Sequence, residues 1–333
     1  MLSAADHQGL YAILPTPARP GANRLDAQHT VDLDESARVV DKLIRDGVSG
    51  IIILGTTGEC ATLSQADYEA FAGCVLETVK RRVPAIVGTT ALGGHEVARR
   101  MKFVRANKAD GALLGLPMWQ PLTTAMALQY YGEVSKLFPD VSIMVYANSR
   151  AFRYGFPPEF WTAVARQAPS VSSAKYSRAR NLAELQAATG NRIHFMPNES
   201  TVQNFFADAP RTTTSCWATA AAMGPQPALA IMDAVARGDA AAVKAIAADI
   251  AWAHETVKEI IGNPEIFASY NIQLEKIRID EAGYCRAGPI RPPYDQMPEN
   301  LAEGARECGR RWRTLCEKYA QAAAARAKSQ APA

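Results

Sequence analysis

A (β/α)8 barrel carrying a C-terminal helical extension is the fold this chain predicts, on three observations. Short apolar runs alternate with longer helical patterns through residues 1–223. Several of the runs are continuously apolar rather than alternating, as in a parallel sheet covered on its outer face. After Gly224 the strand pattern stops and the sequence reads as helix. A doubly wound open sheet is the competing arrangement, but no GxGxxG follows the first strand.

The first strand is read near Ala12–Leu14. In the helix VDLDESARVVDKLIRDG, Asp32 or Asp34 can cap the start, Val39, Val40, Leu43 and Ile44 share a face, and Gly47 stops it. Strand two is Gly50–Leu54. Ser64-Gln65-Ala66-Asp67 then resembles a capping box, opening a helix through Phe71, Val75 and Val79. Strand three is Pro84–Gly88. The segments LIRDGVSGIIIL and VRANKADGALLG repeat one unit of helix, glycine turn and apolar strand, the second delivering strand four at Gly111–Leu114. Strands five to eight are expected at Ser142–Tyr146, Val171–Lys175, Ile193–Met196 and Thr212–Cys216. The barrel domain then spans 1–223 and the helical extension 224–320, while 321–333 reads as a fraying helix or flexible tail.

The bulk composition narrows the class. The chain has 333 residues, 48% hydrophobic and 21% charged, as in a soluble globular protein. A net charge of +3 with both signs interspersed gives no footprint for nucleic acid or an anionic membrane. No apolar run approaches the roughly 18 residues of a spanning helix, and the first residues lack a signal peptide's blocks. Cysteines 60, 74, 216, 285, 308 and 316 show no CxxC, which predicts reduced thiols and a cytoplasmic protein.

In such barrels chemistry gathers at the C-terminal ends of the strands. Gly55-Thr56-Thr57-Gly58-Glu59-Cys60 leaves strand two there, pairing backbone N–H groups with two hydroxyls in a turn suited to a small anion. Strand five ends on Tyr146, a phenol able to carry a proton, and strand six on Lys175. If the face of Val171, Ser173 and Lys175 is the barrel interior, burial penalises the ammonium and frees a nucleophilic amine. Taken singly, Lys175 also reads as a salt-bridged strand end and Tyr146 as a core aromatic. Together, amine, phenol and anion turn suit imine chemistry on a 2-oxo acid.

GTTGE at 55–59, Tyr146 and Lys175 resemble the dihydrodipicolinate synthase and N-acetylneuraminate lyase family over at least residues 10–220. The resemblance implies a barrel acting on pyruvate-type substrates, usually as a homotetramer. By it, Lys175 forms the imine, Tyr146 relays protons, and Gly55, Thr56 and Thr57 hold the carboxylate. The lysine imine itself is the electron sink, so no metal or other cofactor is expected.

Within the family, the chain departs from the synthases. It reads Tyr146-Ala147-Asn148 where they carry Tyr-Asn-x-Pro, and Leu116-Pro117-Met118-Trp119 where they carry a relay tyrosine. GTTGECATL, LGLPMW, VYAN, SAKY, YNIQLEKIR and AGPIRPPY instead resemble the hydratase-aldolases of polycyclic aromatic breakdown, out to about residue 319. That likeness implies cleavage of an aryl-substituted 2-oxobut-3-enoate to an aromatic aldehyde and pyruvate. Trp119 is then expected against the aryl ring, with Phe267 as a second lining residue and Asn148 and Asn271 orienting water or hydroxyl. Arg150 or Arg153 is a candidate partner for a ring carboxylate, against the plainer reading of a solvated loop arginine.

Three other readings compete with this one. A metal-dependent aldolase finds no HxH or HExxH among histidines 7, 29, 95, 194 and 254, and His194 reads as a satisfied core residue. A synthase, sugar-acid lyase or sugar-acid dehydratase of the same family is separable by substrate. A non-catalytic pyruvate-binding protein fits poorly with Lys175 and Tyr146 both present.

Overall fold

The computed structural model of the chain describes residues 1–178 and 181–330. Its strands are β1 (Gly9–Ile13), β2 (Gly50–Ile53), β3 (Ala85–Gly88), β4 (Gly111–Leu114), β5 (Ser142–Tyr146), β6 (Val171–Lys175), β7 (His194–Met196) and β8 (Ser215–Ala218). All neighbouring pairs are parallel, in the order β7-β6-β5-β4-β3-β2-β1-β8. The remaining seam is joined just past the strands, where Asn198 bridges Trp217 in parallel and the Glu199 N–H donates to the Trp217 carbonyl at 3.1 Å. The expected barrel is therefore present.

Its helices are α1 (Leu33–Arg45), α2 (Gln65–Val79), α3 (Gly94–Ala106), α4 (Thr124–Leu137), α5 (Ser149–Phe152), α6 (Pro158–Gln167), α7 (Leu182–Ala188) and α8 (Val202–Asp208). Asp32 caps α1, accepting from the Glu35 N–H, and the same helix buries Val39, Val40 and Leu43. Ser64 caps α2 through the Asp67 N–H at 3.1 Å. Only half of the expected box forms: the Asp67 carboxylate turns instead to the Thr30 N–H and hydroxyl, at 3.0 and 2.8 Å.

Two strand positions differ from expectation. β1 begins earlier, at Gly9, and β8 lies later, at Ser215–Ala218 rather than Thr212–Cys216. The polar run before Ser215 folds as a turn, with Thr213 N–H and hydroxyl both bonded to the Ala209 carbonyl. The shift moves Trp217 into the barrel's C-terminal end. His194 is the satisfied core residue expected, its Nε2 2.7 Å from the Ser215 hydroxyl. All six cysteines are free thiols.

The extension comprises α9 (Gln226–Ala236), α10 (Ala240–His254), α11 (Lys258–Gly262), α12 (Pro264–Ala282) and α13 (Glu299–Gln330). α13 continues through Gln330, so residues 321–330 of the expected tail are helix; 331–333 lie outside the described residues. Val257, Ile260, Leu274, Leu301, Ala305 and Cys308 form a small core of the extension's own. The Trp312 indole N–H donates to the Gly224 carbonyl at 2.9 Å, tying α13 to the end of the barrel. Among the described residues no helix is long and apolar enough to cross a membrane.

Candidate active site

A cavity of about 390 Å³ opens at the C-terminal ends of the strands. Thr56 and Thr57 line it from the turn after β2, Tyr146 from β5, Lys175 from β6 and Trp217 from β8. α12 reaches over the barrel and adds Phe267, Asn271, Glu275 and Arg278. A kink at Tyr270, whose backbone leaves the helical region (φ −123°), breaks α12 just before Asn271.

The phenol is held from two sides. Its oxygen lies 2.8 Å from the Thr56 hydroxyl, and the Asn148 amide donates to it at 3.3 Å. Asn148 is itself fixed as the N-cap of α5, accepting from the Ala151 N–H at 3.2 Å. Gly55 sits close behind: a Cβ there would come within 3.9 Å of the Tyr146 hydroxyl. Burial raises the phenol's pKa, so at rest it is a proton donor.

Lys175 is half-buried and lines the cavity. The nitrogen lies 3.3 Å from the centre of the Trp217 ring and 4.8 Å from that of Tyr146. Burial lowers its pKa to about 7, overcoming the pull of Glu199 and Glu275 in the other direction. A large share of this amine is therefore neutral and nucleophilic at neutral pH.

The structure thus gathers Lys175, Tyr146, Thr56, Thr57, Asn148, Asn271, Phe267 and Arg150 around one cavity. The Arg150 guanidinium stacks 4.0 Å from the centre of the Phe267 ring. Gly55, Trp119 and Arg153 are not among the residues that line the cavity. Trp119 is 78% exposed, and the Arg153 guanidinium donates to the Met118 carbonyl at 2.8 Å and to the Trp119 carbonyl at 2.5 Å. Arg153 is spent on that brace and is likewise absent from the lining.

Sequence reasoning missed Glu199, Trp217, Glu275 and Arg278. Glu199 follows β7 at a strand end, the position that flagged Lys175 and Tyr146, and is detectable by the same rule. It is 2% exposed, and burial raises its pKa to about 7. Glu275 and Arg278 form a buried pair along one helix face, with contacts of 2.7, 2.8 and 3.0 Å. Spacing alone does not separate such a pair from a solvated one.

A family model described as the dihydrodipicolinate synthetase family matches residues 22–304. The chain is 39% identical to a trans-O-hydroxybenzylidenepyruvate hydratase-aldolase of Pseudomonas putida over 327 residues, covering 96% of this chain and 97% of that one. It is 33% identical to a trans-2'-carboxybenzalpyruvate hydratase-aldolase of Nocardioides sp. (strain KP7), with 96% of each chain covered. The solved structure "PhdJ bound to substrate intermediate" superposes with a TM-score of 0.91 at 31% identity, covering 96% of this chain and 99% of that one.

Proposed function

The chain belongs to the dihydrodipicolinate synthetase family, and on that premise we propose that it is a hydratase-aldolase, cleaving aryl-substituted 2-oxobut-3-enoates to an aromatic aldehyde and pyruvate. The observation that carries the reading is the Lys175 amine, close to both an indole face and the Tyr146 ring, in a cavity that the Thr56–Thr57 turn also lines.

The Lys175 amine adds to the ketone and expels water, forming an iminium conjugated with the alkene. Thr56 and Thr57 receive the carboxylate. Water adds at the benzylic carbon, the electron pair moves to the iminium nitrogen, and the adjacent carbon takes a proton to give a β-hydroxy iminium. The positive iminium favours Tyr146 as phenolate, which removes the hydroxyl proton. The carbon–carbon bond then breaks, the aldehyde departs, and its electron pair is left in an enamine. Protonation and hydrolysis release pyruvate and restore the amine. Asn148 and Asn271 orient the water, and Phe267 flanks the aryl ring.

The imine supplies the electron sink, so the reading calls for no metal or cofactor, and turnover persists after chelation. We place the enzyme in the cytoplasm as a homotetramer, which light scattering tests. The function is tested with benzylidenepyruvates bearing hydroxyl or carboxyl groups: loss of the conjugated chromophore must accompany release of aldehyde and pyruvate. Borohydride with pyruvate must modify the wild type and spare Lys175→Ala. Failure of both reactions refutes the reading.

A further inference from the structure

The turn that carries Thr56 and Thr57 is strained at both ends. Leu54 and Glu59 sit at φ 60° and 52°, a left-handed backbone that side chains with a Cβ seldom adopt. Between them Gly58 passes so close that a Cβ would meet the Leu54 nitrogen at 2.8 Å. Within the turn, the Glu59 N–H bonds the Thr56 carbonyl at 2.9 Å and the Cys60 N–H bonds that of Gly55 at 3.3 Å. Such a conformation persists only when its surroundings hold it.

The holding groups come from the extension. The Glu59 carboxylate is 1% exposed and takes the Lys276 ammonium at 2.9 Å, the Arg291 N–H at 2.9 Å and the Arg291 guanidinium at 2.5 Å. Lys276 also donates to the Pro289 carbonyl at 2.7 Å. Arg291 continues to the Thr30 hydroxyl at 2.7 Å and the Thr16 carbonyl at 3.1 Å, while the Thr16 hydroxyl holds the Gly58 carbonyl at 2.7 Å. The turn is therefore gripped at both Gly58 and Glu59. Lys276 lies on α12, the helix that also brings Phe267 and Asn271 to the cavity.

We infer that Lys276 and Arg291 are positioning residues: acting through Glu59, they set the turn so that Thr56 and Thr57 meet the substrate carboxylate. This rests on the imine reading above. A purely stabilising purpose explains the network less well, since buried ion pairs give little net stability over apolar packing. The extension therefore does more than wall the aryl side; it also tunes the oxo-acid side.

The test compares pyruvate with acetone, which forms the corresponding imine without a carboxylate. Reductive trapping of the full-length protein is measured against the concentration of each ketone in wild type, Lys276→Met and Glu59→Gln. Lys276→Met leaves Arg291 on Glu59, and Glu59→Gln keeps the side chain's shape. The expected result is a half-saturating pyruvate concentration raised at least roughly tenfold in each variant, as for loss of one charge-assisted contact. The value for acetone stays within about twofold. Equal losses for both ketones, or no loss for pyruvate, overturn the inference, as does failure of both variants to fold, because the network then serves the fold rather than the turn. Absence of trapping in the wild type refutes the imine reading instead.

Discussion

The titration of Lys175 is open to direct measurement. A lysine at its ordinary value of 10.5 is free base in only about one molecule in three thousand at pH 7, whereas at about 7 it is free base in half. The lowered pKa thus raises the nucleophile's population by about three orders of magnitude. Burial is the largest cause; Glu199 and Glu275 oppose it and Arg150 adds to it. Glu199→Gln removes one opposing carboxylate and moves the midpoint to lower pH, by up to about one unit, since burial remains. Imine formation with pyruvate, captured by cyanoborohydride in single-turnover experiments between about pH 5 and 10, reads the midpoint directly. The rate constant should rise with pH to a plateau, centred near 7 in the wild type and lower in the variant. A midpoint near 10 in the wild type, or one that moves upward on losing Glu199, refutes the reasoning.

The same burial destabilises the fold. The folded pKa lies below the unfolded one, so unfolding takes up a proton between about 7 and 10.5 and is favoured as pH falls through that range. Lys175→Met should therefore raise the melting temperature at pH 7 by a few degrees, with the gain shrinking toward pH 10. Tyr146→Phe should keep imine trapping with pyruvate yet lose about 10²- to 10⁴-fold in aldehyde release, the usual contribution of a positioned acid–base group. Phe267→Ala should raise KM for aryl substrates roughly tenfold while leaving pyruvate trapping unchanged.

What the sequence revealed was local. Lys175, Tyr146 and Thr56–Thr57 were legible because an apolar strand ending in a polar group announces a barrel mouth, and strand ends converge in space. Asp32 and Ser64 were legible as caps because a cap is decided within four residues. Trp217 was not, because the polar run Thr212-Thr213-Thr214 has the β-propensity of a strand start while Thr212 and Thr213 bond back to Ala209. The role of Glu59 was hidden for another reason. Its partners stand 217 and 232 positions away, on elements whose docking no local periodicity encodes. Trp119 misled because aromatic character near a strand end does not fix which way a loop directs its side chain, and here the indole is exposed.

The distribution of buried charge explains why one lysine is reactive and its neighbours are not. Lys276 and Arg291 share the Glu59 carboxylate, and Arg278 grips Glu275 with two nitrogens. Each of these cations is desolvated beside an anion that opposes the loss of its charge. Lys276 also has its pKa lowered by burial, with the attraction of Glu59 working against the fall. Lys175 makes no salt bridge among the described residues; its nitrogen lies 3.3 Å from the centre of the Trp217 ring. An indole quadrupole attracts an ammonium far less than a carboxylate does, so desolvation prevails there. The carboxylates that could have quenched the nucleophile are occupied elsewhere: Glu275 is committed to Arg278, and Glu199, itself shifted to about 7 by burial, carries only part of its charge at neutral pH. Lys175 is reactive because it is buried without an ion-pair partner among the described residues, whereas Lys276, Arg278 and Arg291 each have one.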